Sequence, residues 1–215
     1  MSDSDEVNQL RRRYLDVERL FAQEWLQYRK SEILPRLTWQ AQSTCDRINR
    51  IYFDNPQEAM RLFRELVPAA GEGVDFRPPI RLDYGLGLEI GDGTFINMDF
   101  LIVGGGSISI GSNCLIGPRC SIYTPNHAVP AKPRLEGWQR NADVAVGDNV
   151  WLGGNVVVCP GVTIGDGSVI GAGSVVVGDI PRNSVAVGNP CHAIGVVPED
   201  WTPEQYAAAI GDAAA

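Results

Sequence analysis

Histidine is scarce in this chain and cysteine is unpaired. Only His127 and His192 occur among its 215 residues. A metal centre of the zinc type draws three or four His, Cys or acidic ligands together, so a three-histidine site is excluded and no metal is expected. Cys45, Cys114, Cys120, Cys159 and Cys191 are odd in number and form no C-x-x-C pair. That usage predicts reduced thiols and a cytoplasmic setting. No run of eighteen apolar residues is present, so no transmembrane helix is expected. The first six residues are polar and acidic, unlike a signal peptide. There is neither a G-x-G-x-x-G unit opening a helix nor a Walker-type loop, which argues against dinucleotide or ATP binding of those kinds. Positive charge is outnumbered: the formal net charge is −8 and the pI ≈ 4.8. Nucleic acid and anionic membrane are therefore disfavoured partners.

What the chain does have is a six-residue rhythm. Aliphatic residues fall at Ile90, Ile96 and Ile102, again at Ile110, Ile116 and Ile122, and then at Val146, Leu152, Val158, Ile164, Ile170 and Val176. Glycine often follows, and a small or β-branched residue comes four positions after the aliphatic, as at Thr94, Cys114, Val150 and Ser168. This is neither a helical period nor a two-residue alternation. Each unit is a short extended stretch and a turn. Three units close a triangular coil of eighteen residues, so that residue i lies over residue i+18 and neighbouring coils build the core between them. The pattern predicts a mainly β fold, a parallel β-helix. A β-sandwich with many glycine turns is the alternative, but its strands would not keep one fixed period. Cys114 and Cys120 occupy the small interior position and read as buried filler. Asp92, Asp148 and Asp166 sit in Gly-Asp turns and read as turn formers.

The flanks read differently. Residues 7–30 carry a helical apolar face, and Pro35 is expected to end that region, with Leu34 biased away from helix. A second helix is predicted from Thr38 to Tyr52. A third is capped by Asn55 with Pro56 at its first position and stopped by Pro68. This divides the chain into an N-terminal helical region (1–70), a β-helix (76–190) and a tail (191–215) in which Trp201–Ile210 reads as a short helix. Two extra residues interrupt the rhythm between Ile102 and Ile110. From 123 to 143 it stops altogether. A long loop inserted into a regular solenoid is more often functional than accidental, and this one holds His127. An imidazole poised near neutral pH can take a proton from a hydroxyl or an amine.

In combination, several segments resemble the maltose/galactoside O-acetyltransferase group of the hexapeptide-repeat acyltransferases. They are Arg81-Leu82-Asp83-Tyr84-Gly85, Ile96-Asn97-Met98-Asp99, Thr124-Pro125-Asn126-His127, Gly147-Asp148-Asn149-Val150-Trp151-Leu152-Gly153-Gly154, Asp179-Ile180-Pro181 and Gly188-Asn189-Pro190. The resemblance spans about Arg36 to Val196. It implies a left-handed coil, a homotrimer with its active site between two coils, and acetyl-CoA as co-substrate. It also implies His127 as the catalytic base, with Asn97, Asp99 and Asp83 on the acceptor side. Trp151, Gly154, Ala172, Val177 and His192 would lie along the coenzyme, although His192 also suits a structural role. Asp83, Asp99 and Glu136 are all open as the group that fixes the His127 tautomer.

The chain also departs from that group. Val177-Gly178 stand where the group commonly has Thr-Lys. Pro190-Cys191-His192, followed by Gly195, replaces an ending with two cations. Arg29, Ser31 and Glu32 occupy the region of its acceptor-binding aspartate. The implied activity is acetyl transfer from acetyl-CoA to a hydroxyl of a small or medium-sized acceptor. N-acetylation of an amino sugar or other amine, and a non-catalytic trimeric scaffold, are the alternatives.

Overall fold

The structure, a computed structural model, describes residues 3–198, 200 and 202. The repeat winds into a left-handed parallel β-solenoid of triangular section. Its three faces are parallel sheets of seven, five and four strands, the seven-stranded one closed by an antiparallel C-terminal hairpin. Every aliphatic of the rhythm points inward and is buried, forming one continuous column from Ile90 to Val176.

The spacing changes along the axis. Val146 lies opposite Ile164, Leu152 opposite Ile170 and Val158 opposite Val176, which is the expected eighteen residues per coil. Nearer the N-terminus the interval is twenty: Phe76 faces Ile96, Ile90 faces Ile110 and Ile102 faces Ile122. The extra residues sit at one corner, between the five- and four-stranded faces. They fall around Tyr84-Gly85 and around Gly104-Gly105, and the 123–143 insertion leaves from the same corner one coil later. The corner is thus widened in two successive coils before it opens completely.

The other corners are tight because backbone meets backbone there. A Cβ on Gly147 would lie 2.7 Å from Asp166 N, and one on Gly153 would lie 2.6 Å from Ala172 N. These glycines admit the next coil. The left-handed turn conformation falls two residues later, at Asn149 (φ 56°) and Asn155 (φ 59°). Aspartates tie the same turns together: Asp92, Asp148 and Asp166 accept backbone N–H bonds from Glu72, Ser112 and Asp148 at 2.7, 2.7 and 3.0 Å. Inside, Cys114 and Cys120 are fully buried, and each thiol lies 3.1 Å from a carbonyl of the next coil, Gly147 and Gly153.

The N-terminal region corrects the single helix expected over 7–30. There are two helices, α1 (Asp3–Arg13) and α2 (Leu15–Phe21), separated by an extended Tyr14. The chain then turns through Gln23 (φ 56°) into a short strand, Leu26–Gln27. Of the apolar face read there, Val17 and Leu20 are buried in a cluster with Leu26, Leu34 and Tyr84, Leu10, Tyr14, Phe21 and Tyr28 pack against it partly buried, and Trp25 is exposed. A strand partner waiting at residues 138–139 overrides helical propensity beyond Phe21. The third helix, α3 (Leu34–Ile51), starts earlier than expected. Pro35 sits in its first turn, where no N–H is needed, and Ser31 Oγ accepts the Leu34 N–H at 3.3 Å. Next, α4 (Pro56–Leu66) is capped by Asn55, which accepts the Glu58 N–H at 3.2 Å.

The insertion is more ordered than a loop. Pro125–His127 and Trp138–Asn141 form an antiparallel hairpin with a one-turn helix, α5 (Ala131–Leu135), near its tip. The helix read at Trp201–Ile210 lies outside the described residues.

If coil-to-coil approach is what the motif glycines provide, Gly147→Ala should lower stability by about 1–3 kcal/mol through overpacking. Gly178→Ala, whose added Cβ would meet nothing within 4 Å, should change it little. Paired guanidinium titrations of the two variants check this.

Candidate functional site

The widened corner is where side chains with chemistry gather. Its floor is glycine. A Cβ on Gly104 would stand 2.4 Å from Thr124 Oγ1, and one on Gly105 would stand 2.4 Å from Leu20 Cδ2. Only hydrogen at these positions lets the insertion and α2 approach together. Asp83 braces the floor, accepting the Gly104 N–H through Oδ2 and the Gln42 side-chain amide through Oδ1, both at 2.9 Å. The root of the insertion is tied to the same floor. Buried Thr124 donates to Gly105 O at 2.7 Å, and Asn141 Oδ1 lies 3.0 Å from that hydroxyl. Asn141 Nδ2 has no partner. A hydroxyl has one proton and Gly105 takes it, so the amide is better satisfied turned over, with Nδ2 donating to Thr124.

His127 ends the first strand of the hairpin. It lies directly opposite Gln139, which in turn lies opposite Leu26. Residues facing each other across a ladder project to the same side of the sheet, so all three share one side. That side borders a cavity of ≈ 210 Å³ walled by Leu20, Tyr28, Asp83, Tyr84, His127 and Gln139. Tyr28 is held by a chain of hydroxyls: its OH lies 3.0 Å from Thr38 Oγ1, which donates to Leu34 O at 3.1 Å. The N-terminal segment acts as a strap across the hairpin. Gln27 Nε2 donates to Glu136 O (2.9 Å), Gln23 Nε2 donates to Asp143 Oδ2 (2.8 Å), and the Arg140 guanidinium lies over the Trp25 ring.

The three candidates for orienting His127 separate here. Asp83 shares its cavity. Glu136 accepts from the Trp138 indole at 3.2 Å. Asp99 lies on a different corner. Gln139, Tyr28 and Leu20 were not identified from sequence. Their membership depends on the strap-to-hairpin pairing, which no motif announces.

The remaining candidates lie elsewhere on the prism. Asn97, Asp99, Gly154 and Ala172 stack along the corner between the seven- and five-stranded faces, where Gly173 N donates to Gly154 O at 2.8 Å. Asn97 Oδ1 accepts the Met98 N–H at 2.8 Å. Asp99 has φ 61° and faces Arg119 at 3.9 Å, so it also works as a turn residue. Trp151 projects from the seven-stranded face and is 53% exposed. Val177 is exposed just beyond the five-stranded face, and His192 lies on the C-terminal hairpin opposite Val187. Within one chain, then, Asn97 and His127 occupy different corners.

A larger cleft of ≈ 520 Å³ lies beyond Tyr84, among α1, α3 and α4. It holds no histidine or cysteine, and its one carboxylate, Glu65, is paired with Arg61. The cysteines are poor nucleophiles. Burial pushes the Cys45 and Cys120 thiols up to about 11 and raises Cys114, Cys159 and Cys191 as well, and the thiolate is the reactive form. Among the described residues no three His, Cys, Asp or Glu side chains group as a metal site, and no helix is long and apolar enough to cross a membrane.

A left-handed hexapeptide solenoid with a histidine-bearing arm at one corner defines a class, and comparison with known proteins agrees. Residues 143–178 match the family model for the bacterial transferase hexapeptide (six repeats), and residues 107–125 match that for the hexapeptide repeat of succinyl-transferase. The chain belongs to the hexapeptide-repeat acyltransferases related to the galactoside and maltose O-acetyltransferases. It is 36% identical over 163 residues to the galactoside O-acetyltransferase of Escherichia coli K12, covering 76% of this chain and 80% of that one. Its fold is similar to that of a maltose O-acetyltransferase from Clostridium difficile 630, with TM-score 0.81, 36% identity, and 85% and 97% of the two chains covered. It is also similar to a galactoside acetyltransferase solved in complex with coenzyme A, with TM-score 0.80, 34% identity, and 85% and 90% covered.

Proposed function

We propose that the protein is an acetyl-CoA-dependent O-acetyltransferase in which His127 is the general base. The observation that carries this reading is His127 at the edge of the Asp83 cavity, on an arm of a family scaffold whose relative binds coenzyme A. A thioester carbonyl is already activated, so direct transfer suffices. The acceptor oxygen attacks the acetyl carbon while its proton passes to the imidazole. A backbone N–H in the coils after the insertion holds the oxyanion. The C–S bond then breaks, the proton goes to sulfur, and an acetyl ester and free CoA leave. The raised thiols favour this route over an acyl-cysteine. In this scheme Trp151, Gly154, Ala172, Val177 and His192 line the donor, Asn97, Asp99 and Asp83 serve the acceptor, and no metal takes part. The unpaired thiols fit a cytoplasmic setting.

The same reading requires a homotrimer, because Asn97 and His127 of one chain stand at different corners. The outward columns support it. On the seven-stranded face Phe95, Leu115, Trp151, Val169 and Val185 are consecutive partners, an apolar strip. The five-stranded face presents Leu101, Ser121, Val157 and Val175. The four-stranded face instead shows Glu89, Ser109, Ala145 and Thr163. A threefold axis faced by the five-stranded sheet, whose two edges are the Asn97 and His127 corners, joins the Asn97 corner of one copy to the His127 corner of the next and leaves the polar four-stranded face in water.

The part of the acceptor site that one chain supplies sets Leu20, Tyr28, Tyr84 and Pro125 beside Asp83, His127 and Gln139. With Arg29, Ser31 and Glu32 where the group has its acceptor-binding aspartate, that favours a less polar alcohol over an unmodified disaccharide.

Three outcomes are expected. His127→Ala should lower kcat by roughly 10²–10⁴-fold with CoA affinity nearly unchanged, while His192→Ala should affect mainly the KM for acetyl-CoA. Retention of most of the kcat by His127→Ala, with chemistry rate-limiting, sinks the mechanism. Light scattering should give the mass of three chains; a monomer at micromolar concentration contradicts the assembly. A panel of maltose, galactosides, glucosamine and apolar alcohols should show its highest kcat/KM on an apolar alcohol. Turnover on sugars alone refutes that acceptor class, and preference for the amine favours N-acetylation.

A further inference from the structure

The positive charge of this chain is distributed very unevenly. Of its 18 Lys and Arg residues, only Arg182 lies beyond residue 140, and that same stretch holds eight Asp and Glu. The coils from Val144 to Ile180 contain no Lys or Arg at all. This is the half of the solenoid that the proposed reading assigns to the donor, and the inference rests on that reading.

Arg182 is not on the donor corner. Its backbone packs over Gly165, at the corner between the four- and seven-stranded faces, whereas Gly154 and Ala172 stack on the corner between the seven- and five-stranded faces. On the donor corner the last cation before Gly154 is Arg119, one coil nearer the acceptor end and facing Asp99. Of the arm's cations, Arg134 donates to Val129 O at 2.6 Å and Arg140 stacks on Trp25, while Lys132 lies exposed in α5 near the hairpin tip. A second copy cannot repair the deficit. Rotation about a threefold axis along the solenoid keeps each coil at its own height, so the cation-free coils of one chain meet the cation-free coils of the next.

From Trp151 to the hairpin strand of His192 the seven-stranded face advances by three strand spacings, roughly 14 Å at the usual separation. That is comparable to an extended pantetheine arm. A donor whose thioester reaches His127 therefore carries its phosphates to the last coil and the hairpin, where the only ionisable groups able to offer positive charge are Arg182 and His192.

We infer that this enzyme recognises its donor through the acyl-pantetheine arm and does not read the 3′-phosphate of CoA. The donor class is an acyl thioester of phosphopantetheine, and acetyl-dephospho-CoA should serve as well as acetyl-CoA. The backbone amides and open glycine turns of the donor corner suit an amide-rich arm; they offer nothing that distinguishes the number of phosphates.

Isothermal titration of the full chain with CoA and with dephospho-CoA tests this without knowledge of the acceptor. A single charge-assisted contact to the 3′-phosphate would be worth about tenfold to a hundredfold in affinity. The expected result is two dissociation constants within about threefold of each other. The CoA value should also change little between low and high salt, since few ionic contacts are there to be screened. CoA binding at least about thirtyfold tighter than dephospho-CoA, or a steep loss of CoA affinity with salt, overturns the inference. Binding of neither compound sinks the donor reading itself, and the inference falls with it.

Discussion

The distance between successive coils governs this molecule. A parallel solenoid buries its aliphatics only if each backbone settles directly on the last, and at the tight corners there is no room for even one extra carbon. Gly147 against Asp166 and Gly153 against Ala172 set that distance. The asparagines in left-handed turns and the aspartates that accept the next coil's N–H then follow as ways of turning a chain within the space left. The His127 corner is where the constraint is relaxed. Two added residues per coil open it first, then the whole histidine arm is admitted, and the other two corners continue undisturbed.

The solenoid was legible because its signal is repeated a dozen times and every repeat obeys the same local rule. A single misread unit would have changed nothing. The twenty-residue coils were only half visible: the extra pair around Gly104 stood out, whereas the one around Tyr84 lay where the rhythm had not yet begun. Around the site, legibility fell sharply. His127 was identifiable from its place in an interruption. Gln139 was not, because its position opposite His127 depends on a hairpin register, and Leu26 was not, because it joins that hairpin from more than a hundred residues away.

The misreading of residues 7–30 has the same origin. Their apolar spacing is that of a helix, and it picks out Val17 and Leu20 in the buried cluster and Leu10, Tyr14, Phe21 and Tyr28 at its edge, but misses Leu26. Periodicity reports which side chains are covered; it does not say by what. Here the cover changes midway, from Tyr84 and the coil to the edge of the arm, and the backbone changes from helix to strand to follow it. Leu34 and Pro35 show the opposite case, in which a local rule against helix yields to a serine placed to receive the first free N–H.

The strap has a consequence for the order of assembly. The strand at Leu26–Gln27 can pair only after Trp138 and Gln139 have been made and folded back, and by then the early coils already have neighbours to stack on. Closing so long a chain segment is costly until the scaffold has shortened it. Local coil stacking therefore comes first, and the cavity beside His127 is completed last. The cavity beside His127 is a late product of the chain's own folding, sealed by a strand more than a hundred residues away in sequence.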